Sequence, residues 1–343
     1  MPALPKKQNA KKVIVISFVV LALLIFISFL IGRYHITPED VFAVFYSRIF
    51  GTDCDVKDMA QSAIIKVRMP RIFSAVLIGG ALSSAGAAYQ GLFKNPMVSP
   101  DILGASAGAG FGAALAILLS LPFALIQFSA FFGGILAVGL SYFICKIVSR
   151  GKDALLILVL AGMVVSTLFS SMITLLKYIA DPYSKLPEIT YWLMGGLSAV
   201  LTDDVLMLII PLICGIVPLF LLRWQLNAMA FGDEEAKAMG LNTHKLRTVY
   251  IVAATLLTAA SVAVCGMIGW IGLVIPHLTR MLVGPNYKYL MPASFLIGSI
   301  FLLIVDNIAR SLFTMEIPLG ILTSIIGAPF FVYLLIKRKK GWV

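Results

Sequence analysis

Long apolar runs separated by short polar segments repeat along almost the whole chain. A helix needs about 20 consecutive, mostly apolar residues to cross a bilayer, and about ten segments approach or reach that length. They lie at roughly 13–32, 63–91, 102–119, 123–147, 154–179, 205–223, 248–268, 269–283, 290–313 and 318–336. The pattern predicts an all-α polytopic membrane protein with about ten transmembrane helices.

Composition agrees with this prediction and leaves no sequence for a separate soluble domain. The chain has 343 residues, of which 60% are hydrophobic and only 13% are charged. Soluble domains carry about 25% charged residues, so these runs are not the buried helices of a large globular protein. We expect one transmembrane domain over residues 1–343, with a polar loop at about 224–247.

The placement of basic residues predicts the orientation of the spans. The net charge is +11. Lys and Arg border both chain ends and alternate loops, at Lys6, Lys7, Lys11, Lys12, Lys94, Arg150, Lys152, Lys237, Lys245, Arg247, Lys288, Lys337, Arg338, Lys339 and Lys340. Positively charged loops stay in the cytoplasm, so we expect both termini there and an even number of spans. Because the charges are scattered and not gathered in one patch, nucleic-acid binding is not expected.

The polar loop between the sixth and seventh spans contains a short helix candidate over residues 231–241. Gly232, Ala236 and Gly240 recur at four-residue spacing and would share one helix face, which allows another surface to approach closely. The opposite face carries Asp233, Glu234, Glu235 and Lys237. A plain connector does not need this arrangement, so we interpret the segment as a docking element for a soluble partner.

The loop between the second and third spans, residues 93–101, contains two prolines that break any continuous helix. Ser99 is a candidate cap for the next helix, with Pro100 and Asp101 in its first turn. We expect a tight cytoplasmic re-entry loop with a polar tip. It is either a simple turn or a segment that narrows a pore.

Glycines in the third span predict close packing between helices. Gly104, Gly108 and Gly112 recur every four residues within an apolar run, which is the small-residue pattern of membrane-helix interfaces. A nucleotide-binding glycine loop would follow a strand, and no strand pattern precedes these residues.

A short amphipathic helix is predicted after the first span. Thr37 is its candidate cap, Pro38 its first residue, and Glu39 and Asp40 lie in its first turn. The helix lies either on the outer membrane surface or in a packed extracellular plug.

Signatures of catalysis and of metal binding are missing from the sequence. No segment reads G-x-x-x-x-G-K-[ST] or H-E-x-x-H, so the chain is not expected to hydrolyse ATP alone. Asp203 and Asp204, with Thr202, are better explained as the cap of the sixth span. The four cysteines show no metal or disulfide spacing. We predict no catalytic residue, no metal site and no cofactor in this chain.

One pair of opposite charges lies inside a predicted span. Asp306 and Arg310 are four residues apart in the ninth span, where an ion pair forms naturally. Intramembrane charge is costly and usually functional. Either the pair is structural, or Arg310, near the outer end of the span, contacts an external partner.

Nine short segments, in their order and spacing, carry a resemblance to a known family. They are residues 68–71 (RMPR), 90–97 (QGLFKNPM), 101–104 (DILG), 191–196 (YWLMGG), 232–236 (GDEEA), 269–277 (GWIGLVIPH), 306–310 (DNIAR), 318–320 (PLG) and 327–330 (GAPF). With them, nearly the whole chain resembles the permease subunits of the iron-siderophore, haem and cobalamin ATP-binding-cassette (ABC) importers, the FecCD-type family.

The resemblance implies partners on both sides of a prokaryotic cytoplasmic (inner) membrane. Two permease subunits, expected to be identical copies, would form a dimer with the pathway at their interface. Two cytoplasmic ABC ATPase subunits, which hold ATP and Mg²⁺, would dock on the segment containing Gly232, Asp233, Glu234, Glu235, Ala236 and Gly240. An extracytoplasmic substrate-binding protein would meet Arg68 and Arg310 with its carboxylates. Lipid is the remaining partner.

The resemblance also places Asn95, Pro96 and Met97 at a cytoplasmic gate. The leading interpretation is the permease of a binding-protein-dependent ABC importer that moves an iron-siderophore or similar metal chelate into the cytoplasm. Cobalamin, haem and an oxyanion are alternative substrates within the same family. An ATP-independent secondary transporter is the alternative from a different class, but such a protein would place more acids at mid-membrane.

Overall fold

The computed structural model describes residues 7–54, 56–149, 154–312 and 315–338, which contain helices and no β-strand. The helices are α1 (Lys7–Leu30), α2 (Pro38–Phe50), α3 (Asp58–Ser62), α4 (Met69–Leu92), α5 (Ala105–Leu118), α6 (Phe123–Ser149), α7 (Ala154–Ile179), α8 (Lys185–Met194), α9 (Thr202–Leu221), α10 (Arg223–Phe231), α11 (Asp233–Ala238), α12 (Thr243–Cys265), α13 (Ile271–Val283), α14 (Tyr287–Ser311) and α15 (Leu319–Arg338). A π-helical turn, Ala63–Arg68, joins α3 to α4, and a 3₁₀ turn, Pro100–Leu103, precedes α5.

Among the described residues, seven helical segments are long and apolar enough to cross a membrane. They are α1, the continuous segment from α3 to α4, α6, α7, α9, α12 and α14. Helices α5, α13 and most of α15 are shorter but apolar, and together these segments coincide with the ten predicted runs. The all-α membrane fold is confirmed. The number of crossings, the side of the termini and the single domain over residues 1–343 stay predictions.

Helix α4 lies at the centre of the bundle, where it packs against α12, α13 and α14. Small residues make this possible. A Cβ added to Gly79 would lie 2.4 Å from the carbonyl oxygen of Gly298 in α14, and a Cβ on Gly298 would lie 2.3 Å from the Gly79 oxygen. The two backbones therefore touch directly, which is how membrane helices gain packing energy without a hydrophobic driving force.

Close packing by glycine is confirmed in the third span. A Cβ on Gly108 would lie 2.3 Å from the Gly133 oxygen of α6, and one on Gly112 would lie 2.1 Å from the Ser129 oxygen. Gly104 does not share the helix face of Gly108 and Gly112, because it has φ +87° and precedes α5, but it also lies in close contact, since a Cβ there would be 3.1 Å from Ser166 Oγ of α7. The chain leaves the 3₁₀ turn through a left-handed conformation that glycine adopts without strain.

The predicted cap of α2 is confirmed. The Asp40 N–H donates to Thr37 Oγ1 at 3.2 Å, and the Thr37 N–H donates to Asp40 Oδ2 at 2.9 Å. The hydrogen bond with the Thr37 backbone is the main reason that the pKa of Asp40 lies below its usual range, and the hydrogen bond with the Thr37 side chain lowers it further. The helix packs on α1 through an edge-to-face contact of Phe29 with Phe45. Its opposite face leaves large apolar side chains exposed, including Ile49.

Asp204 caps α9, as the sequence predicts for this cluster. Its Oδ2 accepts the Leu201 N–H at 2.7 Å, and its Oδ1 accepts a hydrogen bond from Gln127 Nε2 of α6 at 2.8 Å. Thr202 and Asp203 lie in the first turn of the same helix. The cap therefore also joins the ends of two apolar helices.

Candidate transport and docking sites

The polar loop forms two short helices, α10 and α11, where one was predicted. The backbone breaks at Gly232, with φ +154°, and α11 ends before Gly240, with φ +79°. Only glycine adopts such conformations readily, and a Cβ on Gly232 would lie 1.9 Å from a carboxylate oxygen of Glu235. Both glycines therefore bound the helix, and the predicted face that they share with Ala236 is wrong.

The exposed side of α11 is acidic. Ala236 is completely buried within this chain, because α11 packs that side on α10 and α12. Glu234, Glu235 and Lys237 face solvent. A partner that reaches this helix meets two carboxylates and a lysine, not a surface of small residues. The docking role itself stays a prediction.

An ion pair fixes α11 to α12. Arg247 Nη2 donates to Asp233 Oδ2 at 2.6 Å, and the two side chains are 10% and 40% exposed. The adjoining α10 is fastened as well. Tyr250 of α12 donates its hydroxyl hydrogen to the carbonyl oxygen just before α10 at 2.7 Å, and Asn227 Oδ1 accepts the Tyr287 N–H of α14 at 2.9 Å. A force on α11 is therefore transmitted to two long apolar helices.

The loop of residues 93–101 is compact, and its three predicted gate residues lie at the tip. Asn95 and Met97 are exposed and Pro96 is half-buried. Asn95 Oδ1 accepts the Met97 N–H at 2.9 Å. Gln90 closes the base of the loop, where its Nε2 donates to the Leu273 oxygen at 3.0 Å. The position of these residues at a gate stays a prediction.

The predicted cap at Ser99 is wrong, because the following residues, Pro100–Leu103, form a 3₁₀ turn and the Ser99 side chain makes no capping hydrogen bond. The first turn of α5 is held differently. Ser106 Oγ donates to Asp101 Oδ1. Burial raises the pKa of Asp101, and the hydrogen bond from Ser106 opposes that shift.

Arg68 and Arg310, the predicted contacts for an external protein, are bound to their own chain. They are 5% and 6% exposed. The Arg68 guanidinium donates to the carbonyl oxygens of Phe29 and Tyr34, and Arg310 Nη2 donates to the Ser28 oxygen at 2.7 Å. Both arginines thus hold the end of α1 against the bundle. Their contact with an external protein stays a prediction.

Arg68, Arg71, Asp306, Arg310 and Glu316 form one charged cluster. Arg71 is its central residue, and sequence reasoning did not identify it as a site residue. Its Nε lies 2.8 Å from Asp306 Oδ1 and its Nη1 lies 2.9 Å from Glu316 Oε2. The expected pair of Asp306 with Arg310 is present but longer, at 3.7 Å. The three-residue spacing from Arg68 could have revealed Arg71, since it puts both side chains on one helix face.

A depression of about 210 Å³ opens between these groups. Its lining residues are Gly32, Arg33, Tyr34, Ala63, Val67, Arg68, Arg71, Arg310 and Glu316. Within the described ranges, four arginines and one acid line the depression, so it favours an anion.

A larger groove of about 450 Å³ lies where α8, α15 and the segment between α12 and α13 meet. It is lined by Leu193, Met194, Met267, Gly269, Gly320, Ile321, Ser324 and Ile325. Backbone hydrogen bonds from Gly196 to the Cys265 oxygen, at 2.8 Å, and from Leu319 to the Gly195 oxygen, at 2.9 Å, join the three segments. No local pattern could reveal this groove, because its walls are distant in sequence.

Comparisons with known proteins agree on one family. The sequence profile described as the FecCD transport family matches residues 20–337. The molybdate import system permease protein MolB of Haemophilus influenzae is 41% identical over 318 residues, which cover 92% of this chain and 92% of that protein. The probable iron chelatin transport system permease protein of Helicobacter pylori is 39% identical over 276 residues, covering 80% of this chain and 83% of the relative.

A solved structure shows the same fold. It is described as an inward-facing conformation of a transporter assigned to the metal-chelate type of ABC transporter. The match has a TM-score of 0.85 and 37% sequence identity, and it covers 95% of this chain and 99% of that chain.

Proposed function

This chain belongs to the FecCD transport family and is an ABC importer permease, and we propose that it acts as a passive conduit driven by a partner ATPase in a prokaryotic cytoplasmic membrane. The sequence has no phosphate-binding loop of its own. The observation that carries the proposal is α11, a short helix with an exposed acidic face that an ion pair fixes to α12. A surface helix attached to long apolar helices suits the transmission of force from a soluble motor.

The proposed ATPase contact lies on Glu234 and Glu235, the exposed carboxylates of α11. Each permease subunit binds one ATPase subunit there, and ATP and Mg²⁺ belong to the ATPase. Closure of the ATPase pair on ATP moves α11 and, through Arg247, moves α12. The bundle then alternates between states that open outward and inward, and the loop around Asn95 and Met97 controls release into the cytoplasm.

The proposed pathway forms between two identical copies of this chain. The groove at Met194 and Met267 is open on one side, and its lining is apolar with flexible, polarizable methionine side chains. One wall of this kind cannot enclose a cargo, and a second copy supplies the other. A flexible apolar wall binds a large chelate weakly, and weak binding allows the chelate to be released on the other side of the membrane.

The proposed cargo is a metal chelate delivered by an extracytoplasmic binding protein. The iron chelatin permease of Helicobacter pylori supports this assignment. An oxyanion is the second candidate, because the molybdate permease of Haemophilus influenzae is 41% identical to this chain. Isothermal titration of the cognate binding protein with ferric siderophores and with molybdate tests the choice. Binding of molybdate alone would contradict the chelate assignment.

Replacing both exposed carboxylates tests the docking surface. With Glu234→Lys and Glu235→Lys together, we expect loss of ATPase co-purification and of ATP-driven uptake, because the acidic face is reversed in sign. The control is Glu39→Lys, which reverses the charge of an exposed acid in α2, outside α11. Co-purification and uptake that survive the double change would exclude α11 as the dock.

A further inference from the structure

The arginine-lined depression already contains a carboxylate of this chain. Glu316 lies in the connection between α14 and α15, and its side chain is 35% exposed. Both of its carboxylate oxygens accept hydrogen bonds from Arg71 Nη1, at 3.0 and 2.9 Å. The second acid of the cluster, Asp306, is fully buried behind Arg71. Of the residues that the structure describes, Glu316 is therefore the only acid lining the depression, and it approaches Arg71 from the solvent side.

The charges of the cluster are incompletely matched. Within the described part of the chain, Arg68 donates to carbonyl oxygens and has no carboxylate within ion-pair distance. Arg310 Nε and Asp306 Oδ2 are buried without a hydrogen-bond partner among the described atoms, and 3.7 Å separates them. An arrangement with excess positive charge and unfilled hydrogen-bonding capacity favours a further carboxylate.

We propose that Glu316 is a resident carboxylate that an incoming carboxylate of the substrate-binding protein displaces from Arg71. The inference rests on the proposed function, which supplies that protein. Asp306 stays in place because it is buried and also lies near Arg310. Glu316 is exchangeable because solvent reaches it and because ion pairs at exposed positions contribute little free energy.

Displacement of Glu316 has a structural consequence for the groove. Three residues after Glu316, the Leu319 N–H donates to the Gly195 oxygen at 2.9 Å. Gly320, the next residue, lines the groove beside Met194. Release of Glu316 therefore removes the side-chain tether of this segment to Arg71 and leaves it held by the Leu319 bond and by the Ile317 N–H, which donates to the Ala309 oxygen at 3.3 Å. Arrival of the binding protein is in this way linked to the shape of the groove.

The test is the affinity of the ligand-loaded binding protein for the permease–ATPase complex in nanodiscs, measured without nucleotide. Glu316→Gln removes the competing charge and keeps the side-chain size. We expect the dissociation constant to fall by about two- to five-fold, the range that corresponds to a partly exposed ion pair. The matched control is Glu39→Gln, which removes the same charge from α2 outside the depression, so the difference between the variants isolates competition at Arg71.

Several outcomes would overturn the inference. An affinity of Glu316→Gln that is weaker than wild type, or equal to that of Glu39→Gln, means that Glu316 only supports Arg71. If Glu316→Gln does not assemble with the ATPase, Glu316→Asp replaces it, since the shorter acid reaches Arg71 less well and should also tighten binding. A wild-type complex that binds no binding protein would instead contradict the proposed function.

Discussion

Loss of the ion pair between Asp233 and Arg247 should uncouple ATP hydrolysis from transport. The pair is intermediate in burial, with side chains 40% and 10% exposed. Exposed pairs contribute about 0.2–1 kcal/mol, and loss of one partner of a buried pair costs about 3–5 kcal/mol. We therefore expect Arg247→Gln to weaken the attachment of α11 to α12 by about 1–2 kcal/mol, or about five- to thirty-fold in the attachment equilibrium.

The assay measures ATP hydrolysis and substrate uptake on the same proteoliposomes. In Arg247→Gln we expect hydrolysis to stay close to wild type, because the proposed ATPase contact at Glu234 and Glu235 is unchanged, while uptake per ATP falls. Lys245→Ala is the matched control, since it removes an exposed cation from α12 outside the α11 face and should leave the ratio unchanged. Asp233→Asn should reproduce the defect, and the double variant should be no worse than either single one. Equal loss of hydrolysis and uptake, or additive defects, would refute the reasoning.

Two further substitutions test the packing and the charged cluster. Gly298→Ala places a Cβ 2.3 Å from the Gly79 oxygen and should lower the melting temperature of the purified permease, because overpacking costs about 1–3 kcal/mol. Gly139→Ala is the control, since Gly139 has open space around it, and it should not lower the melting temperature. Equal melting curves would contradict the direct backbone contact. Asp306→Asn removes the buried negative charge beside Arg71 and Arg310 and should destabilise the fold by about 3–5 kcal/mol. Asp203→Asn, at an exposed aspartate, is the control and should have little effect. A stable Asp306→Asn protein would show that Arg71 does not depend on its ion pair with Asp306.

The helical membrane fold was predictable because it rests on local pattern. Apolar runs of bilayer length and the Thr37 cap are properties of adjacent residues, and both are found in the structure. Gly232 shows where local pattern fails. A glycine at four-residue spacing fits a helix face as well as a helix break. Its backbone conformation, φ +154° at Gly232, decides between them, and spacing alone does not specify that angle. The burial of Ala236 is likewise absent from the local pattern, because it comes from the packing of α11 on α10 and α12.

The charged cluster shows a second limit. Arg71 and Asp306 are 235 residues apart, so no spacing rule joins them, and the sequence offered only the local pair of Asp306 with Arg310. That pair exists, but its distance of 3.7 Å is longer than the 2.8 Å contact with Arg71. The sequence therefore identified charged residues of the cluster, Asp306 and Arg310, but only the fold shows that Arg71 is the nearer partner of Asp306.

The account depends on energy supplied by a partner ATPase. Uptake of a labelled chelate into proteoliposomes, with the permease alone and with the ATPase and binding protein, measures this directly. We expect uptake only when the ATPase is present and hydrolyses ATP. Accumulation of the chelate by the permease alone, without ATP, would contradict the account.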